Sequence, residues 1–174
     1  MLFCSGSKHR DRYVPRPNLK QQLADVKTVL EALRLLPIAT PLKKDLLDKT
    51  LWHVTFATGN TQTKFMGRYR SRRVIREVGL KIQRDHVYQR KTLLRELLGP
   101  SPDLDRIISL AKCCVVLTAD EHRSLANIDG GKKYTLAGVT VYDMLDEKKV
   151  EPDLARVAAI LCGVVKVGGI NHQT

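Results

Sequence analysis

No C-x-x-C pair occurs among the four cysteines of this 174-residue chain (Cys4, Cys113, Cys114 and Cys162), so the commonest spacing of a structural zinc site is missing. Adjacent Cys113 and Cys114 point to opposite faces of a strand. Reduced thiols in a cytoplasmic setting are the simple reading. Long apolar runs are also missing. The longest, residues 157–165, falls far short of the roughly 20 residues that span a bilayer, and the polar, charged residues 1–12 lack the apolar core of a signal peptide. A membrane-integral protein is therefore not expected. There is no G-x-x-x-x-G-K-[ST] loop, no G-x-G-x-x-G after a strand and no G-x-S-x-G elbow, which leaves nucleotide-cofactor and serine-hydrolase readings without support. Acidic residues are scarce, 18 Asp and Glu against 30 Lys and Arg, for a net charge of +12. Such a surplus attracts polyanions, with DNA or RNA ahead of an acidic protein or a membrane surface.

What is present is an ordinary globular balance, 43% hydrophobic and 28% charged, enough to bury a core without metal or disulfide staples. The expected fold is α+β: a helix-rich single domain with an N-terminal helical hairpin and a few short antiparallel strands in the middle and C-terminal half. Residues 1–16 read as a flexible basic tail with Lys8, His9, Arg10, Arg12 and Arg16. Residues 17–57 read as the hairpin, 58–167 as a basic α+β core, and 168–174 as a second flexible tail. In the first helix (18–36), Leu19, Leu23, Val26, Leu30 and Leu33 alternate spacings of four and three and form one apolar stripe. That stripe suits packing on the protein's own core, with a homodimer or partner helix as the alternative. Pro41 opens a second helix carrying Leu42, Leu46, Leu47, Leu51 and Val54.

Further on, the patterns predict a helix over 64–78 stopped by Gly79, a strand over 82–87, and helices over 90–98 and 103–111. A strand over 113–117 follows. Thr118-Ala119-Asp120-Glu121 has the form of a capping box opening a helix through Leu125. Asp129-Gly130-Gly131 reads as a turn, 134–136 and 139–142 as a small hairpin, and 152–165 as a last helix.

Charge is concentrated in one region. Between positions 64 and 95 lie Lys64, Arg68, Arg70, Arg72, Arg73, Arg76, Lys81, Arg84, Arg90, Lys91 and Arg95, against only Glu77 and Asp85. On the expected 64–78 helix, Lys64, Arg68, Arg72 and Arg76 form one ridge of like charges. An anion relieves that repulsion, and the excess of Arg over Lys favours bidentate contact with phosphate. Tyr69 and Tyr88 add the means to stack on bases. A solvated helix face is the plainer alternative.

A second feature has two parts. Ile82-Gln83-Arg84-Asp85-His86-Val87 ends a strand on an acidic residue followed by histidine. Cys113-Cys114-Val115-Val116-Leu117-Thr118-Ala119-Asp120-Glu121-His122 runs a strand into a helix with a histidine in its first turn. On these residues the chain resembles the HNH, or ββα-metal, endonuclease family. The resemblance implies His86 as general base, Asp85 and His122 as ligands of one divalent cation (Mg²⁺ or Mn²⁺), and Arg84 or Arg90 as a clamp on the scissile phosphate. Cys113 stands where the family has the Asn that orients its base histidine. The connection over 88–112 is longer than in compact members. The expected function is thus nucleic-acid binding with metal-dependent phosphodiester hydrolysis. The alternatives are non-catalytic DNA or RNA binding through 64–78, or protein interaction through 18–36.

Overall fold

The computed structural model describes residues 13, 15–58, 67–77, 79–127, 129–144 and 148–150. Helices α1 (Leu19–Leu35) and α2 (Thr40–Thr58) form the hairpin, followed by β1 (Tyr69–Ser71), α3 (Arg72–Arg76) and β2 (Ile82–His86). Then come α4 (Arg90–Leu97), α5 (Leu104–Ala111), β3 (Cys114–Thr118), α6 (Ala119–Ser124), α7 (Lys132–Leu136), β4 (Val141–Asp143) and β5 (Lys148–Val150). The protein is α+β, as its pattern predicted. Among the described residues one sheet has the order β2-β3-β1-β4-β5. Its pairs are antiparallel except β1 with β3, which run parallel.

The hairpin belongs to the core. Leu30, Leu47, Leu51 and Val54 are fully buried in one cluster with Leu93 and Leu97 of α4, Ile107 of α5, and Val115 and Leu117 of β3. Leu23, Val26 and Leu33 pack against the same cluster, so most of the apolar stripe of α1 is used on the chain's own core. The alternation of β3 explains the division of the core. Val115 and Leu117 face the helices, while Val116 turns to the other side and joins Val74 and Ile82.

Several expectations are corrected. The residues expected to extend the 64–78 helix form a strand and a helix of five residues. All three residues of β1 are buried, because the strand sits between β3 and β4 and its backbone groups are taken by two neighbours. Tertiary pairing overrides a period-four charge pattern there. The Ser71 hydroxyl then caps α3 by accepting from the Val74 N–H. Lys64 lies outside the described residues. Residues 134–136 belong to α7 and not to a hairpin strand. The end of the supposed N-terminal tail is anchored: Tyr13 is buried, its hydroxyl donates to Thr58 O at 2.8 Å, and its N–H donates to Met144 O at 2.9 Å. Cys113 is disulfide-bonded, against the expectation of reduced thiols, whereas Cys114 is a free thiol. The expected 152–165 helix, both tail ends, Cys4 and Cys162 lie outside the described residues. Among the described residues no helix is long and apolar enough to cross a membrane.

Close approach of β1 and β3 demands a small residue at position 67. A Cβ on Gly67 would sit 2.6 Å from Val116 Cγ2, and Val116 is fully buried with nowhere to move. Gly67→Ala is expected to cost about 1–3 kcal/mol through overpacking, read as a lowered thermal midpoint. An unchanged midpoint would mean that this contact is slack.

Candidate functional site

β2 and β3 pair in antiparallel register from Ile82↔Thr118 to His86↔Cys114, and β3 runs directly into α6. The turn is fixed by the predicted capping box. The Thr118 hydroxyl accepts from the Glu121 N–H at 3.2 Å, and the Glu121 carboxylate accepts from the Thr118 N–H at 2.9 Å. The same carboxylate accepts from the Ser71 hydroxyl at 2.7 Å, which ties α6 to β1. His122 thus leaves the first turn of α6 beside the end of β2, and its Nε2 lies 3.7 Å from Asp85 Oδ1.

Asp85 is the hub of this site. Its Oδ2 accepts from Tyr134 Oη at 2.5 Å and from Lys133 Nζ at 2.7 Å, while Lys133 also donates to the His86 carbonyl at 2.5 Å. The Lys133 side chain is only 4% exposed and Asp85 14%, so the ion pair lies where water screens it little. Burial and the neighbouring Asp85 carboxylate push the Tyr134 phenol well above its ordinary value, so it stays a proton donor to Asp85. A cavity of about 160 Å³ opens over the group, lined by Asp85, Gln89, His122, Leu125, Ala126, Asn127 and Lys133. Gln89 Nε2 donates to Asn127 Oδ1 at 2.9 Å. The Asp129 carboxylate accepts from the Gln89 N–H at 2.6 Å and from the Thr92 hydroxyl at 2.8 Å, which ties Asp129 to the start of α4.

His86 is not brought to this cavity. It follows Asp85 on β2, so its side chain leaves by the opposite face. There its Nε2 is 2.8 Å from Thr55 Oγ1 and its ring meets Trp52 edge-on, centroids 5.4 Å apart. Burial, helped by the Arg90 charge, lowers its pKa to about 4, so it is a neutral, packed imidazole. Arg90 also sits on the Trp52 side, its guanidinium 4.1 Å above the indole. Desolvation lowers the pKa of the half-buried Arg84. Burial pushes the Cys114 thiol up to about 12, which leaves it protonated and unreactive near neutrality.

The basic residues are dispersed. Arg68 makes a bidentate pair with Asp143 (2.7–3.1 Å), and Arg70 is fully buried with its Nε donating to Gly67 O at 2.9 Å. Neither is presented as an open phosphate contact. Arg72, Arg76, Lys81, Lys91 and Arg95 are exposed, with Arg73 partly so. Arg72 and Arg73 border a second cavity of about 410 Å³ beyond α6, with Asp120, Ser124 and Thr140. Lys133 and Tyr134 escaped sequence reasoning. A lysine within a polar run reads as solvent-exposed, and no local signal marks it as the partner of Asp85.

Asp85 and His122 offer a divalent cation one carboxylate oxygen and one imidazole nitrogen. Ligand bonds of about 2.0–2.2 Å to a carboxylate oxygen and an imidazole nitrogen reach across the 3.7 Å between Asp85 Oδ1 and His122 Nε2, so the pair fits a shared ion. Among the described residues there is no group of three or more His, Cys, Asp or Glu able to hold a metal; water or phosphate would complete the coordination. Comparison with protein-family models, with curated proteins and with solved structures returns no match for this chain.

Proposed function

We propose that the protein binds nucleic acid and hydrolyses its phosphodiester bonds at the Asp85–His122 cleft with a divalent cation, Mg²⁺ or Mn²⁺. The observation that supports this most is the convergence of Asp85 and His122 to 3.7 Å from β2 and the strand-to-helix turn, the placement that the ββα-metal resemblance implies. Asp85 and His122 would hold the cation, which neutralises a phosphate and acidifies a bound water. Tyr134 fixes the rotamer of Asp85 through its 2.5 Å hydrogen bond. Lys133 keeps a positive charge at the cleft floor, where it favours a bound phosphate. Exposed Arg123 and Lys132, next in sequence to His122 and Lys133, extend that attraction to the rim. The general base is not His86 in this reading, because its ring packs on the far side of the strand.

A second reading, non-catalytic nucleic-acid binding, is favoured by one observation. The Lys133 ammonium already satisfies Asp85 Oδ2 at 2.7 Å, which lessens the need of the carboxylate for a metal. Incubation of the protein with supercoiled DNA and labelled RNA, with Mg²⁺, with Mn²⁺ and with chelator, separates the two. His122 is half-exposed, so His122→Ala should fold. It is expected to lower metal-dependent cleavage about 100-fold or more while leaving binding within a few-fold. Binding without cleavage in every condition would establish the second reading and remove the first.

A further inference from the structure

The chain's single tryptophan stands in a layered group away from the cleft. Trp52 and Phe56 lie one turn apart on α2, with ring centroids 5.8 Å apart and planes tilted by 32°. Arg90 covers the indole at 4.1 Å, and its Nε stands 3.5 Å from Asp48 Oδ1. The buried Arg90 Nη1 has no hydrogen-bond partner among the described residues. Phe56, at the open end, is 56% exposed. A phenyl ring left in water gives up hydrophobic stabilisation that a position on the interior face of α2 would gain. A guanidinium over an indole face is held there by the ring quadrupole.

We propose that Phe56 and Trp52, backed by Arg90, form a stacking platform for an unpaired base of single-stranded nucleic acid. Three observations choose this occupant. The open layer is a flat aromatic ring, and every nucleobase presents a matching π-face. Lys91 and Arg95 are exposed on the helix that carries Arg90, of the sign that attracts a phosphodiester backbone, while Asp48 pairs with Arg90 itself. The platform also joins the cleft through adjacent residues, since Gln89 lines the cavity and Arg90 stacks on Trp52. Bases inside a duplex are stacked on each other and cannot use the platform, so the preferred substrate is a single strand or a loop. This proposal rests on the nucleic-acid reading above and specifies its substrate.

The test uses the full chain with chelator present. A labelled oligothymidylate and a duplex of matched length are titrated, read by anisotropy of the label and by Trp52 fluorescence. The single strand is expected to quench Trp52 and to bind more tightly than the duplex. Phe56→Ala, at an exposed position, should weaken single-strand binding about 5-fold or more and leave duplex binding unchanged, and Phe56→Tyr should restore it. Single-strand affinity unchanged in Phe56→Ala, or saturation without any change in Trp52 emission, overturns the platform but not nucleic-acid binding through the cleft. Absence of binding to either oligonucleotide overturns both.

Discussion

Asp85→Asn is expected to lower the thermal midpoint by roughly 6–12 °C, corresponding to about 3 kcal/mol for a chain of this size. The reason is Lys133, not the proposed chemistry. Its ammonium is held at 2.7 Å from Asp85 Oδ2 and 2.5 Å from the His86 carbonyl, with 4% of the side chain exposed. Asparagine keeps an acceptor for the Tyr134 hydroxyl but removes the carboxylate that is paired with Lys133 among the described residues, leaving a cation where water screens it little. Breaking such a pair costs more than the pair itself is worth, because the survivor keeps its desolvation penalty. The double variant Asp85→Asn with Lys133→Met separates these effects. Deleting both charges should restore much of the midpoint, so the losses in the two single variants should sum to clearly more than the loss in the double. Additive losses would mean that the two side chains are uncoupled, and that the cleft floor is wetter than the geometry indicates. The double variant should still fail to cleave, since it lacks the carboxylate that would hold the cation.

The elements that flank this site were readable because each has a local cause. Pro41 stands in the first turn of α2, Gly99 and Pro100 follow α4 (Arg90–Leu97), and the Thr118–Glu121 capping box fixes the start of α6. Those signals act within a few residues and fix where α2, α4 and α6 begin or end, whereas the pairing of Asp85 with His122 was implied by the ββα-metal resemblance and not by any local signal. The residues that complete the cleft have no local cause. Tyr134 reaches Asp85 across a separation of 49 positions, and the Tyr-Thr-Leu run at 134–136 favours a strand by propensity, although it lies in α7. The basic ridge failed for the same physical reason. Arg68, Arg72 and Arg76 keep a helical spacing in sequence, but β1 is claimed by β3 and β4 on its two edges, and Arg68 turns to Asp143. Charge density in a sequence thus raises the expectation of an anionic partner without indicating which guanidinium groups face solvent.

His86 gives the second large effect, in the pH dependence of stability. Its pKa falls from 6.5 to about 4 in the fold, chiefly through burial, with the Arg90 charge acting in the same direction. The folded state therefore holds the imidazole neutral at pH values where the unfolded chain protonates it. Unfolded molecules bind the extra proton between the two pKa values. The contribution is fully present above about pH 6.5, is lost progressively as pH falls, and is gone below about pH 4. The full shift corresponds to at most about 3 kcal/mol, and less to the extent that the ring edge reaches water. Thermal midpoints of wild type and His86→Gln across pH 7.5 to 4.5 measure it. Glutamine retains a hydrogen-bonding group near Thr55 and cannot titrate, so the acid-side fall should be shallower in the variant, while carboxylate contributions common to both cancel in the difference. Parallel curves would show that the imidazole accepts its proton freely in the folded state. That outcome would reopen the far face of β2 as a place where His86 meets solvent and acts as a base. A shallower variant curve fixes it as a packed group between Trp52 and Thr55, and leaves the proposed chemistry to the face that carries Asp85.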